Sequence, residues 1–234
     1  MLQDLKSKAK QMRDALQKGI YKVINPFVHF LIKMKVTPNI VTTIGLLGNV
    51  AAAWLIFYAA NNAGFVSPNY LLILLAGVLI IAFSLFDMLD GQVARLGGMS
   101  STFGAMYDSA LDRYCEILMF GSIGYFLLLT GSITGALLAF FSLMGSVMVS
   151  YVRARAEGLG IECKIGFMQR PERVVVTAVA LLVTGIWGVC GGDGTKPNII
   201  LIIAMAVIAL FANLTAVARL YHSYIQLRER DKKV

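Results

Sequence analysis

Four aspartates, Asp87, Asp90, Asp108 and Asp112, fall within one 26-residue stretch of a chain that is otherwise poor in charge. On a helix, Asp87, Asp90, Gly91 and Ala94 stand at i, i+3, i+4 and i+7, and Gly104, Asp108 and Asp112 at i, i+4 and i+8, so each set makes a single face. Two such faces opposed would gather four carboxylates beside three residues small enough to leave room for a ligand. Alone, that cluster is untenable: an acid at the centre of a spanning helix costs roughly 2.5 to 3.5 kcal/mol, and like charges repel further. A cation is therefore expected. Hard oxygen donors with no His or Cys cluster nearby favour Mg2+ or Mn2+ over zinc. Two divalent ions would cancel the four charges and make the kind of paired site that supports in-line displacement at phosphorus.

The elements that must hold these acids are membrane helices. The chain has 234 residues, 58% of them hydrophobic, well above the average for soluble proteins. Six apolar runs reach the length of a span: 40–60, 70–88, 104–129, 132–154, 172–190 and 198–221. The fold class expected is an all-α integral membrane protein of six transmembrane helices preceded by an amphipathic interfacial helix. No amino-terminal apolar run with a small-residue cleavage site precedes Ile40, so insertion by the chain's own helices is expected. Cys115, Cys163 and Cys190 are widely spaced, with no metal-ligand or disulfide pattern.

Charge sets the orientation. Of 21 Lys and Arg, eight precede residue 36, five fall between 153 and 173, and five follow 218; the segments 61–69 and 130–132 have none. The positive-inside rule then places both termini, the aspartate stretch and the 153–173 segment in the cytoplasm. The net charge of +8 is answered by anionic lipid headgroups, without any nucleic-acid partner.

Three regions follow: a juxtamembrane segment 1–36, a membrane domain 37–222 and a basic tail 223–234. In the first, Leu5, Met12, Leu16, Ile20, Phe27 and neighbouring apolar residues recur at helical spacing against lysines on other faces. Asn25-Pro26 reads as a break, with Asn25 capping a second short helix. Thr37-Pro38-Asn39 introduces the first span, with Thr37 or Asn39 as its cap. Glu116 follows Asp112 by one turn and reads as structural, with Arg113 as a local partner. Arg153, Arg155, Arg170 and Arg173 bracket the fourth and fifth spans. They suit a phosphate pocket, since guanidinium forks match phosphate oxygens. Positive-inside bias alone would also put basic residues there. Arg219 lies at about the same depth, either as part of that pocket or as an interfacial anchor.

The run Asp87-x2-Asp90-Gly91-x2-Ala94-Arg95-x8-Gly104-x3-Asp108-x3-Asp112 matches every fixed position of the CDP-alcohol phosphotransferase signature, and on it the chain resembles that family. The resemblance implies metal-dependent transfer of a phosphatidyl group from CDP-diacylglycerol to an alcohol, with release of CMP. It implies that Asp87, Asp90 and Asp108 are metal ligands. Asp112 is then the general base for the attacking hydroxyl and also a metal contact. Gly91, Ala94 and Gly104 would give the nucleotide space, with Asp87 and Asp108 beside it, and Arg95 would neutralise phosphate or hold the aspartates. The Thr-Pro-Asn entry is also similar to the family's, which leaves Thr42 either in a capping role or facing the nucleotide.

The arginine pattern, Arg153-x-Arg155-x-Glu157 with Arg170-Pro171-Glu172-Arg173, resembles bacterial and archaeal phosphatidylinositol-phosphate synthases. That implies inositol phosphate as acceptor. Gln169 stands where the family pattern carries an acid, and glycerol 3-phosphate or free inositol are the alternatives. Family members are generally homodimers, so a homodimer is implied as well. An ion-coupled transporter is the reading from another class. Against it, the acids cluster in one window and no second half of the chain repeats them.

Overall fold

The computed structural model describes residues 24–61, 68–191 and 196–232 and is all-α. Helical residues 24–33 form α1. There follow α2 (Pro38–Asn61), α3 (Tyr70–Ser84), α4 (Phe86–Leu96), α5 (Thr102–Leu129), α6 (Ile133–Gly158), α7 (Arg170–Cys190) and α8 (Asn198–Asp231). The amphipathic pattern expected over 1–23 lies outside the described residues.

Among the described residues, five helical stretches are long and apolar enough to cross a membrane: α2, α3 continued by α4, α6, α7 and α8. The remaining expected span, 104–129, lies in α5, which has the length at 28 residues but carries Asp108, Asp112, Arg113 and Glu116 toward its amino-terminal end. Length and composition therefore identify five of the six expected spans. The second expected span, 70–88, is two helices. They meet at Leu85, whose backbone keeps helical angles (φ −68, ψ −24). The last helix does not stop at 221. Past Pro197 it meets no proline or glycine, and it runs to Asp231, so the tail expected from 223 begins inside α8.

The chain divides into two compact units. One comprises residues 24–45 and Leu85–Ala110, so it holds α1, the first turns of α2, all of α4 and the start of α5. Its core is Val28 of α1, Val41 of α2, and Leu89 and Val93 of α4, flanked by Ile24, Leu31, Ile32, Val36, Phe86 and Met99. Leu89 and Val93 are one turn apart, so the core-facing stripe of α4 leaves its aspartates to another face.

Two chain reversals fix this unit. Asn25 is helical within α1 and its buried Oδ1 has no hydrogen-bond partner, so the expected cap at Asn25-Pro26 is not formed. Instead α1 ends in a Schellman motif, with Val36 N donating to Leu31 O (3.0 Å) and Lys35 N to Ile32 O (2.9 Å). Thr37 supplies the carbonyl that starts α2, accepting from Ile40 N at 3.1 Å, and Pro38 takes the first helical position. The end of α4 repeats the Schellman pattern: Met99 N donates to Ala94 O (2.9 Å) and Gly98 adopts φ +63, an angle that suits glycine.

The other unit, Leu46–Ser84 with the chain from Leu111 onward, contains most of the bundle. There α6 packs on α8, and α7 on α3 and α8. Its core combines Ile56 of α2, Ile73 of α3, Phe120 and Phe126 of α5, Leu181 of α7, and Met205 and Ile208 of α8. In lipid, helices associate by close packing because the tails are as apolar as the side chains. Gly185 shows it: a Cβ there would lie 2.6 Å from the Leu74 backbone, so α3 and α7 touch only because that position has none.

Candidate active site

The site begins with two acids from α4 and one from α5. Asp87, Asp90 and Asp108 each offer a carboxylate oxygen, and the three oxygens lie within 4.8 Å of one another. Three negative charges at that separation repel by roughly 3 to 4 kcal/mol per pair at an effective dielectric of about 20. Oxygens around one small divalent ion at about 2.1 Å stand roughly 3 Å apart when adjacent and 4.2 Å apart when opposite. The triad therefore fits a hard cation with small side-chain adjustments, and its chemistry, oxygen donors alone, fits Mg2+ or Mn2+.

Asp90 is 5% exposed and takes a hydrogen bond from Thr42 Oγ1 at 2.7 Å; the same hydroxyl lies 3.0 Å from Pro38 O. Thr42 thus orients a triad carboxylate from α2, a role its sequence context did not suggest. One turn of α2 is also tied to α5, where Thr43 Oγ1 and Tyr107 Oη are 2.9 Å apart. At the start of α5, Ser101 Oγ accepts from Gly104 N at 3.0 Å, an N-cap that sets the helix carrying Asp108. The cap is legible in hindsight, as a serine three residues before a helical glycine.

Beside the triad opens a cavity of about 220 Å³ lined by Asn39, Thr42, Asp90, Gly91, Ala94, Arg95, Gly104 and Asp108 among others. All three small residues expected to make room for a ligand line it. Side chains there would intrude: a Cβ at Gly104 would stand 3.0 Å from Ser101 Oγ and 3.3 Å from Asn39 Oδ1. Arg95 folds back along α4, its Nη1 at 3.4 Å from the point a Gly91 Cβ would occupy. Its charge is thereby held at the cavity edge, one turn from Gly91.

In the other unit, the acids and arginines are paired with one another. Asp112 Oδ1 is 2.8 Å from Arg170 Nη2, with the two side chains 18% and 24% exposed. Glu116, 2% exposed, accepts from Arg173 Nε at 2.9 Å and from its Nη2, while Arg173 Nη1 donates to Met168 O at 3.0 Å. Arg173 is wholly buried and turned inward, so it presents no guanidinium to solvent. Arg219, 2% exposed, donates to Ile165 O and Val149 O, each at 2.7 Å, and so ties α8 to α6 and to the segment before α7. Arg153 pairs with Glu157 at 2.9 Å on a half-exposed surface, and Arg155 is exposed. Glu116 gains a cross-helix partner that sequence reasoning missed, since 57 residues separate it from Arg173.

Comparison with known proteins agrees with this geometry. The CDP-alcohol phosphatidyltransferase family matches residues 35–225. The phosphatidylinositol phosphate synthase of Cutibacterium acnes is 33% identical over 213 residues, 89% of this chain and 96% of its own. The crystal structure of Mycobacterium tuberculosis phosphatidylinositol phosphate synthase with CDP-DAG bound is similar at a TM-score of 0.72 and 26% identity, over 87% of this chain and 94% of that one. The same enzyme in complex with manganese and citrate gives the same score and identity over 85% and 88%. The match spans α2 to α8 and includes both the aspartate triad and the arginine pairs: this chain belongs to the CDP-alcohol phosphatidyltransferase family, and is a membrane-embedded enzyme of phospholipid synthesis.

Proposed function

We propose that this enzyme transfers the phosphatidyl group of CDP-diacylglycerol to inositol phosphate. The observation that carries the reading is the meeting of three carboxylates within 4.8 Å beside a cavity floored by Gly91, Ala94 and Gly104. Asp87, Asp90 and Asp108, joined by Asp112, would hold two divalent ions, Mg2+ or Mn2+. Divalent ions held by these carboxylates would supply positive charge to the pyrophosphate and to the charge that develops as it is cleaved. The cytidine and its phosphates are assigned to this cavity, which Arg95 and Thr42 help to line. Asp112 takes the proton of the acceptor hydroxyl. That oxygen bonds to the phosphorus bearing the diacylglycerol, the bond from that phosphorus to the CMP oxygen breaks, and CMP leaves.

Arg153, Arg155 and Arg170 are assigned to the acceptor's phosphate, and an acceptor that already bears phosphate accounts for a basic region here. Arg173 and Arg219, buried on internal partners, are assigned to supporting that region. With α5 as the sixth span, the positive-inside rule puts both termini and the active site in the cytoplasm. The working form is a homodimer, as the family resemblance implies.

An acceptor panel with radiolabelled CDP-diacylglycerol and Mg2+ tests the reading. Inositol 3-phosphate should give labelled phospholipid and CMP, with inositol, glycerol 3-phosphate and serine giving at most a few per cent as much. Preference for glycerol 3-phosphate would make the enzyme a phosphatidylglycerophosphate synthase and overturn the acceptor assignment.

A further inference from the structure

Neither Glu116 nor Arg173 is among the residues that line the cavity beside the aspartate triad, yet both are buried. An ion pair taken out of water gains little for stability, because desolvation of both charges offsets their attraction, and apolar replacements of similar volume are often as stable or more so. Its value must lie in what it fixes. Arg173 reaches Glu116 with two guanidinium nitrogens and Met168 O with a third. That fork geometry defines both the distance and the rotation between its helix and its partner.

One turn nearer the start of both helices stands the second pair, Arg170 on Asp112 at 2.8 Å. The spacing is i, i+4 on α5 (Asp112, Glu116) and i, i+3 on α7 (Arg170, Arg173). The two pairs are rungs of one ladder: the inner rung is sealed, the outer rung is partly accessible. Met168, whose carbonyl the inner rung also holds, is itself buried and donates its N–H to Thr215 Oγ1 at 3.3 Å. Rotation of α7 about its axis would therefore disturb the inner rung, the Met168 contact and the outer rung together.

We infer that Glu116 is a positioning residue of this enzyme: through Arg173 it sets the rotation of α7 against α5, so that Arg170 stands on Asp112 and the acceptor is received in one orientation. This rests on the assignment of Asp112 as base and Arg170 as acceptor contact. Glu116 itself touches neither substrate. The inner rung acts on the acceptor side alone, since none of its residues lines the nucleotide cavity.

The test is the double variant Glu116→Leu/Arg173→Met, which removes both charges and keeps apolar volume. It should purify with the wild-type size-exclusion profile and a melting temperature at or above wild type. Its KM for CDP-diacylglycerol should stay within twofold, while kcat/KM for the acceptor falls at least 30-fold. A stable double variant with acceptor kcat/KM within threefold of wild type would leave the pair merely structural and overturn the inference. If the double variant fails to fold, Glu116→Asp keeps the charge and shortens the reach. It should raise the acceptor KM at least fivefold with the donor KM unchanged, and equal movement of both constants, or of neither, would overturn the inference. The assay uses whichever acceptor of the panel supports wild-type CMP release. A wild-type enzyme that ignores inositol 3-phosphate but uses glycerol 3-phosphate thus refutes the acceptor assignment, while the positioning role is still judged on the acceptor used.

Discussion

The two polar regions of this protein handle charge in opposite ways. In one, Asp87, Asp90 and Asp108 are drawn within 4.8 Å of one another, like charge against like. In the other, Asp112 with Arg170, Glu116 with Arg173 and Glu157 with Arg153 stand in opposite-sign pairs. A fold gains nothing by crowding three carboxylates, so their arrangement is explained by what they bind. Opposite-sign pairs can be explained by the fold alone, and for them function has to be argued from exposure. On that measure the proposed function leaves the buried Arg173 and Arg219 to the scaffold and keeps the more accessible Arg153, Arg155 and Arg170 for an anionic substrate.

The largest effects should come from the acids. Asp87→Asn should lower Mg2+-dependent CMP release by at least a thousandfold and weaken CDP-lipid binding. Asp112→Asn should abolish turnover to a similar degree while retaining nucleotide binding better, because Asp112 is held by Arg170 and lies one turn beyond Asp108 on α5. Equal loss of CDP-lipid binding in the two variants, measured by calorimetry, would erase the distinction between the regions. A smaller loss is expected one shell out. Thr42→Val removes the 2.7 Å hydrogen bond to Asp90 while preserving shape, and supports of this kind are typically worth about 10- to 100-fold in metal affinity. Metal titration of activity after chelation should show that shift; an unchanged metal requirement would place Thr42 outside the site.

The difference between the regions also decided what was legible in the sequence. The aspartate faces were readable because α4 and α5 are regular, so spacing alone carries Asp87, Asp90 and Asp108 to common faces. The ladder was not readable, because Glu116 and Arg173 are 57 residues apart and only the packed bundle brings them together. Hydropathy located the spans but not their ends. It ran 70–88 together because apolar residues continue across the α3–α4 junction at Leu85, and it stopped at 221 where apolarity stops, which says nothing of the helix itself, whose backbone runs on to Asp231. The cap expected at Asn25 failed for a related reason: a local Asn-Pro signal yielded to a helix whose Val28, Leu31 and Ile32 pack in the core.

Among the arginines the contrast can be measured directly. Arg219→Met removes two 2.7 Å hydrogen bonds and leaves the carbonyls of Ile165 and Val149 to find other partners. A loss of about 2 to 4 kcal/mol is expected, seen as a lowered melting temperature in detergent. Arg153→Ala breaks only a half-exposed i, i+4 pair, worth about 0.3 to 0.5 kcal/mol. Its effect should appear in kinetics, with the acceptor KM raised about tenfold and the donor KM unchanged. If the two variants exchange behaviours, exposure is the wrong criterion for separating scaffold from substrate contact.

The smallest effect expected concerns the turn between α1 and α2, in the unit that also holds Asp87, Asp90 and Asp108. Lys35 holds φ 58 at the position of its Schellman motif that glycine usually fills. A side chain in that conformation costs roughly 1 to 2 kcal/mol, and glycine returns part of the relief through its greater freedom when unfolded. Lys35→Gly should therefore stabilise the fold by about 0.5 to 1 kcal/mol, with kcat and both KM values unchanged. Any loss of activity would mean that the Lys35 ammonium, and not only its backbone, serves the nucleotide side, and the turn would then belong with the aspartates as part of the substrate site.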